Sequence, residues 1–246
     1  MNKNYQIVIV VDRVPLEPYF CFDAFQKSLE GEHITVLGWG TGEYKNLSDR
    51  PRMMHRAFKA GAFTKPNIIY CDAWDLFFVD KPEVLFEKHN ALGGDLTIST
   101  ERNCFPDDLK KVFDAHAEAR GETSSYKYLN CGFFIGKTDA LYAVLNSMDA
   151  ENTPTDYWDE EKGAMHHYNE QVLFQKEYFK QTVNIKLDYK QDLVWCMQDV
   201  TQNDVELAGR KICNVETDVY PSVIHFNGGS KTAGLREPIL KHFNYL

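Results

Sequence analysis

The stretch Asn67-Ile-Ile-Tyr-Cys-Asp-Ala-Trp-Asp-Leu-Phe-Phe-Val79 decides the fold. Its apolar run has the composition of a strand buried on both faces, as in parallel α/β sheets. Asp72 and Asp75 interrupt it around Trp74, and buried charge is costly unless something compensates it. At the carboxyl edge of an open α/β sheet the usual compensation is a ligand. Two carboxylates there suit a divalent cation and, through it, a phosphate-bearing partner. The plainer reading has the aspartates capping the next helix or pairing with lysines.

Working outward, Tyr5–Val11 and His33–Leu37 read as strands, and Glu17–Leu29 and Pro51–Ala60 as helices, the second of them basic. With 67–79 this gives β-α-β-α-β, which implies a parallel sheet with right-handed crossovers. Beyond it, helices are expected at 82–89, 107–119, 139–147 and 169–179, and strands at 95–99, 128–136, 183–187 and from 221. The acidic, turn-rich stretch 149–163 reads as a loop and a candidate lid. With no linker or repeat, residues 1–246 form one domain: a nucleotide-binding half to about residue 80, then an acceptor and metal-completing half.

A net charge of −9 over 246 residues argues against a nucleic-acid partner. No run approaches the ~18 apolar residues of a membrane span. The six cysteines form no C-x-x-C pair and read as small buried residues of a reducing compartment, so a cytoplasmic location is expected.

His225 ends a second apolar stretch and is followed by Asn227-Gly228-Gly229-Ser230-Lys231. Glycines let backbone N–H groups approach a phosphate and a lysine adds a point charge. Imidazole with two carboxylates suits Mn²⁺, which makes Asp72, Asp75 and His225 one sensible ligand set. The alternative is a core histidine beside a β-turn. Glu170 opens a helix after Asn169, where it either complements the helix dipole or acts on an acceptor hydroxyl. Asn130 and the Gly132 backbone either face a sugar or belong to a tightly packed strand. Asp12 and Arg13, after Val11, stand where a base or ribose lies in a doubly wound half. Trp74 either stacks on a base or packs in the core. Arg50 and Arg52 either reach a diphosphate or coat a helix, and His166-His167 reads as a solvated pair.

Together these residues resemble the glycosyltransferase domain of the procollagen lysyl hydroxylase family, of the GT-A type. The resemblance rests on Asp72-Ala-Trp-Asp75, Leu129-Asn-Cys-Gly-Phe-Phe-Ile-Gly136, Glu170-Gln-Val-Leu-Phe174 (one residue inserted) and Ile224-His-Phe-Asn-Gly-Gly-Ser-Lys231. It implies a GT-A-like α/β domain with a mostly parallel central sheet flanked by helices. It also implies Mn²⁺, with Mg²⁺ the second choice, held by Asp72, Asp75 and His225. Trp74 would replace the family's uracil-stacking aromatic. The Asn227–Gly229 turn and Lys231 would contact phosphate, with Arg50 or Arg52 replacing a basic residue of the family. The implied activity is transfer of glucose or galactose from a UDP-sugar to a glycan, protein or small-molecule acceptor, with Glu170, Asn169 and Asn130 at the reacting centre. The sequence departs from the family where an aspartate cluster is replaced by His167-Tyr-Asn-Glu170. It also carries no counterpart of the dioxygenase segment of the animal enzymes. A metal-dependent phosphohydrolase and an inactive nucleotide-sugar-binding homologue are the rival readings.

Overall fold

A computed structural model of the chain describes residues 3–12, 21–44, 46–154, 157–159, 164–166, 168–232 and 234–246, with backbone alone at 108, 157–159, 164–166, 231 and 232. The first half runs β1 (Tyr5–Val10), α1 (Phe22–Ser28), β2 (Ile34–Leu37), α2 (Asp49–Lys59), β3 (Asn67–Cys71), β4 (Leu76–Phe78) and α3 (Pro82–Leu92). It continues with β5 (Leu96–Glu101), α4 (Lys110–Ala119), β6 (Tyr128–Lys137), α5 (Thr138–Ser147) and the strand pair β7 (Tyr157–Asp159) and β8 (Ala164–His166). The remainder is α6 (Glu170–Lys180), β9 (Ile185–Leu187), β10 (Val194–Cys196), β11 (Val205–Ala208), β12 (Lys211–Asn214), β13 (Val223–His225) and α7 (Arg236–His242).

Six strands form the central sheet in the order β2-β1-β3-β6-β5-β9. β1 pairs in parallel with β2 and β3, as does β5 with β9, while β6 is antiparallel to both β3 and β5. Successive side chains of a strand point to opposite faces, and β1 is apolar on both. Val8 and Val10 join a core with Met54 of α2, Phe113 of α4, Leu141 of α5 and Phe174 of α6. Ile7 and Ile9 join a second core with Phe25 of α1 and Leu85 of α3. This is the α/β sheet flanked by helices that the apolar runs predict.

The stretch 67–79 is two strands, not the one expected. β3 ends at Cys71, the chain turns through Asp72–Asp75, and β4 joins a separate three-stranded sheet of order β10-β13-β4. Polar residues at the turn break the apolar run, and each half then finds a different neighbour. β13 lies antiparallel to β4 with His225 opposite Leu76, and so delivers the histidine beside Asp75. The metal-ligand candidates sit where the two sheets meet.

The helix expected from Glu17 starts at Phe22, and residues 13–20, which include Arg13, lie outside the described residues. The stretch 149–163, expected as an open loop, contains β7, paired antiparallel with β8. Residues 155–156 and 160–163 of that candidate lid, and His167, lie outside the described residues. Among the described residues no helix is long and apolar enough to cross a membrane. All six cysteines are buried.

Candidate active site

A pocket of about 310 Å³ opens at the carboxyl ends of β1 and β3, lined by Val10, Val11, Arg50, Asp72–Asp75, Asn130, Gly132, Asn169, Glu170, His225, Asn227 and Gly228 among others. It gathers most of the residues that the sequence singles out, from six separate segments.

One oxygen or nitrogen from each of Asp72, Asp75 and His225 can be chosen so that all lie within 4.8 Å of one another. Backbone bonds set their positions. Asp72 N–H donates to the Gly132 carbonyl at 2.8 Å, and Phe226 N–H donates to the Asp75 carbonyl at 2.6 Å. His225 is 2% exposed, and its Nε2 lies 3.5 Å from Asp75 Oδ1 and 3.8 Å from Asp72 Oδ2. Among the described residues no hydrogen-bond partner reaches that buried Nε2. Two carboxylates and an imidazole nitrogen gathered this closely are a donor set suited to Mn²⁺ or Mg²⁺, and the residues fit such an ion. Gly132 makes room for the ring: a Cβ there would lie 2.9 Å from both ring nitrogens of His225. Gly132, whose place in the sequence suits a sugar contact or tight packing, is thus also the floor under the histidine.

Arg50 links the metal set to Glu170. Its guanidinium lies 2.7 Å from Asp72 Oδ1 and pairs with Glu170 Oε1, while its Nε donates to Tyr44 Oη at 3.1 Å. Burial opposes the charge on Arg50, but Asp72 and Glu170 outweigh it and keep the guanidinium protonated. Glu170 is 4% exposed. Burial pushes its carboxyl up to about 7, with Arg50 pulling it down and Asp72 adding to the rise. A carboxyl that titrates near neutrality beside a pocket is suited to proton transfer. Asn169 is the N-cap of α6, its side chain accepting from Val172 N–H at 3.2 Å. Arg52 does not line the pocket; Asp49 at 2.7 Å and the Thr153 carbonyl at 2.6 Å hold it.

Trp74 is half-buried in the pocket wall, and its carbonyl accepts from Cys21 N–H, tying the Asp72–Asp75 turn to the start of α1. Asp12 follows the lining residue Val11 and accepts from Gly40 N–H through its carbonyl. In the Asn227–Gly229 turn, Gly228 has φ +55° and lines the pocket, while Gly229 N–H donates to Gln198 Oε1. The backbone of Lys231 lies in the short turn Gly228–Thr232, and its side chain is outside the described residues.

Glu101 is absent from the sequence-based candidates yet organises one wall. Its Oε1 accepts from Asn130 Nδ2 at 2.9 Å and Gln171 Nε2 at 3.2 Å, and its Oε2 accepts from Asn227 Nδ2 at 2.7 Å. Burial pushes its carboxyl up against the pull of these bonds. The signal that marks Asp72, an acid closing an apolar run, is missing here, because Glu101 closes Leu96-Thr-Ile-Ser-Thr100, in which hydroxyl residues outnumber apolar ones. Tyr44, Leu47 and Phe105 also line the mouth, but no motif surrounds them in the sequence.

The PLOD GT domain family model matches residues 21–237, nearly the whole chain. The chain belongs to the PLOD GT domain family. Its relatives include procollagen-lysine,2-oxoglutarate 5-dioxygenase of Drosophila melanogaster, 29% identical over 94% of this chain and 32% of that protein. An uncharacterized protein of Acanthamoeba polyphaga mimivirus is 28% identical over 78% of this chain and 38% of its own length. The multifunctional procollagen lysine hydroxylase and glycosyltransferase LH3 of Homo sapiens is 24% identical over 94% of the chain and 31% of that protein. The chain therefore spans about a third of the length of these relatives. Among solved structures, a glycosyltransferase involved in glycosylation of the major capsid of PBCV-1 superposes with a TM-score of 0.49 at 12% identity, covering 98% of this chain and 100% of the other.

Proposed function

We propose that this PLOD-type glycosyltransferase domain transfers glucose or galactose from a UDP-sugar to an acceptor hydroxyl, with Mn²⁺ as its metal and Mg²⁺ as the substitute. The observation that carries the reading is the convergence of Asp72, Asp75 and the buried His225 Nε2 in the same pocket as Arg50 and Glu170. When bound, the ion supplies Lewis-acid stabilisation of the negative charge that develops on the leaving diphosphate.

The chain's own residues do the rest. Asp72, Asp75 and His225 hold the ion, and Arg50 holds Asp72 in place while adding positive charge to the site. Val11 and Trp74 form the wall for the uracil, with Asp12 at its edge. The Gly228 amide and Lys231 serve the diphosphate, whereas the Gly229 amide is taken up by Gln198. Glu170, its carboxyl pushed up by burial and paired with Arg50, takes or orients the acceptor hydroxyl proton, and Asn130 and Asn169 shape the floor beside it. The acceptor is a glycan, a protein side chain or a small molecule. The reaction takes place in the cytoplasm, a reading supported by six buried cysteines with no C-x-x-C pair.

The test is thermal unfolding with a panel of nucleoside diphosphates, each with Mn²⁺ and with chelator. A ligand at about 100 times its Kd stabilises by about 2.7 kcal/mol, and a domain of this size gains roughly 2–4 °C per kcal/mol. A Mn²⁺-dependent shift for UDP, absent for ADP and GDP and lost in Asp75→Ala, is the expected result. No shift with any nucleotide would refute the reading.

A further inference from the structure

His225 has two ring nitrogens, and only one faces the carboxylates. The other, Nδ1, lies 3.6 Å from Sγ of Cys196, within the reach of a sulfur hydrogen bond. Cys196 ends β10, His225 ends β13, and the two strands pair in parallel with these residues in register. The contact is therefore built into the sheet. The thiol is completely buried in the core between the sheets, which removes it from any role as a nucleophile or redox centre open to solvent. Gly132 lies against the Cε1 edge between the two nitrogens, so the ring sits in a socket with sulfur at Nδ1 and carboxylates at Nε2.

A histidine that binds a metal through one nitrogen donates the N–H of the other to a fixed acceptor, which sets tautomer and ring orientation. That acceptor is commonly a carboxylate, a carbonyl or water; here the residue at that place is a cysteine. We propose that Cys196 is the positioning residue of the metal centre, accepting Nδ1–H of His225 so that the Nε2 lone pair is presented to the ion. The inference rests on the metal-site part of the functional reading and not on the donor sugar or the acceptor. It adds Cys196 to the site through a contact between two strands, and no motif in the sequence marks it.

The test separates acceptor from packing. Cys196→Val keeps a buried side chain of similar bulk and removes the acceptor. Cys196→Ser keeps an acceptor. Free aqueous Mn²⁺ is counted by electron paramagnetic resonance during titration of the full chain without nucleotide, and thermal unfolding without metal checks that each variant is folded. Replacing such an outer partner costs 10–100-fold in metal affinity, and a thiol is a weak acceptor. The expected effect of Cys196→Val is therefore about a tenfold rise in the Kd for Mn²⁺, with Cys196→Ser staying close to wild type. If Cys196→Val does not fold, Cys196→Ala replaces it with the same expectation. A Val or Ala variant that binds Mn²⁺ as tightly as wild type overturns the proposal. So does a Ser variant as weak as Val, because the loss would then come from packing. A wild-type chain that binds no Mn²⁺ removes the metal reading itself, a result distinct from equal binding by wild type and Val.

Discussion

Gly132→Ala should disable the metal site without touching a ligand. The added Cβ would sit 2.9 Å from both ring nitrogens of His225 and closer still to the Cε1 between them. Ordinary contact for such atoms begins near 3.5 Å, so the ring must retreat by at least about 0.6 Å. The glycine itself has little freedom to yield. Its carbonyl accepts from Asp72 N–H at 2.8 Å and its N–H donates to Asn130 Oδ1 at 3.0 Å, on a strand held between β3 and β5. Metal–ligand distances tolerate about ±0.2 Å, so the displaced imidazole drops out of the donor set. Loss of a direct ligand should cost at least the 10–100-fold seen for outer partners. Overpacking should also lower stability by roughly 1–3 kcal/mol, which for a domain of this size is a Tm decrease of roughly 2–12 °C. Mn²⁺ titration and thermal unfolding measure both effects. A double variant that also carries His225→Ala supplies the control. It should bind Mn²⁺ no worse than His225→Ala alone, and the added alanine methyl should no longer destabilise, because the atoms it struck are gone. A Gly132→Ala protein with wild-type affinity and wild-type Tm would refute the reasoning.

Arg50→Met should leave the buried Glu170 and the half-buried Asp72 without their cation, a loss of about 3–5 kcal/mol measurable by urea unfolding; a loss under 1 kcal/mol would show that the pairs contribute little. Glu101→Gln turns one accepting oxygen into a donor facing the side-chain amide of Asn130, Gln171 or Asn227, and should cost about 1–3 kcal/mol, with Tm as the readout and unchanged Tm as the contrary result. His89 is 4% exposed with Nδ1 2.8 Å from Thr97 Oγ1, and burial holds its pKa below the usual 6.5. The unfolded chain then binds the extra proton more readily, so this contribution to stability is complete above pH 6.5 and is lost as pH falls through the folded-state pKa. Stability curves from pH 7 to 5 should be flatter for His89→Gln, and identical slopes would exclude His89 as the source.

The centre of the sheet was legible because β1 and β3 are apolar on both faces. Tyr5–Val10 and Asn67–Cys71 carry no polar residue in their interiors beyond Gln6, a composition that few environments other than a covered sheet accept. The short elements were not legible. β10, β11, β12 and α7 span three to seven residues each, too short for periodicity to separate them from loop or core. The break in 67–79 was hidden for another reason: Asp72 and Asp75 were visible, but the sequence alone does not say that Leu76–Phe78 pairs with β13 instead of continuing the first sheet.

The candidate site divides the same way. Asp72, Asp75, His225, Glu170 and the glycine turn could be chosen by residue type alone, because charged or imidazole groups at the ends of apolar runs need a partner that the run cannot supply. What the sequence determined by itself was therefore the sheet and a short roster of groups with unmet chemistry. Tertiary structure decided which of them meet: it placed Arg50 in the pocket and Arg52 outside it, brought Glu101 behind three amides, and set Cys196 against the far nitrogen of His225. Those pairings depend on strand register between segments distant along the chain, and register follows from packing across the whole core, which no local run of residues encodes.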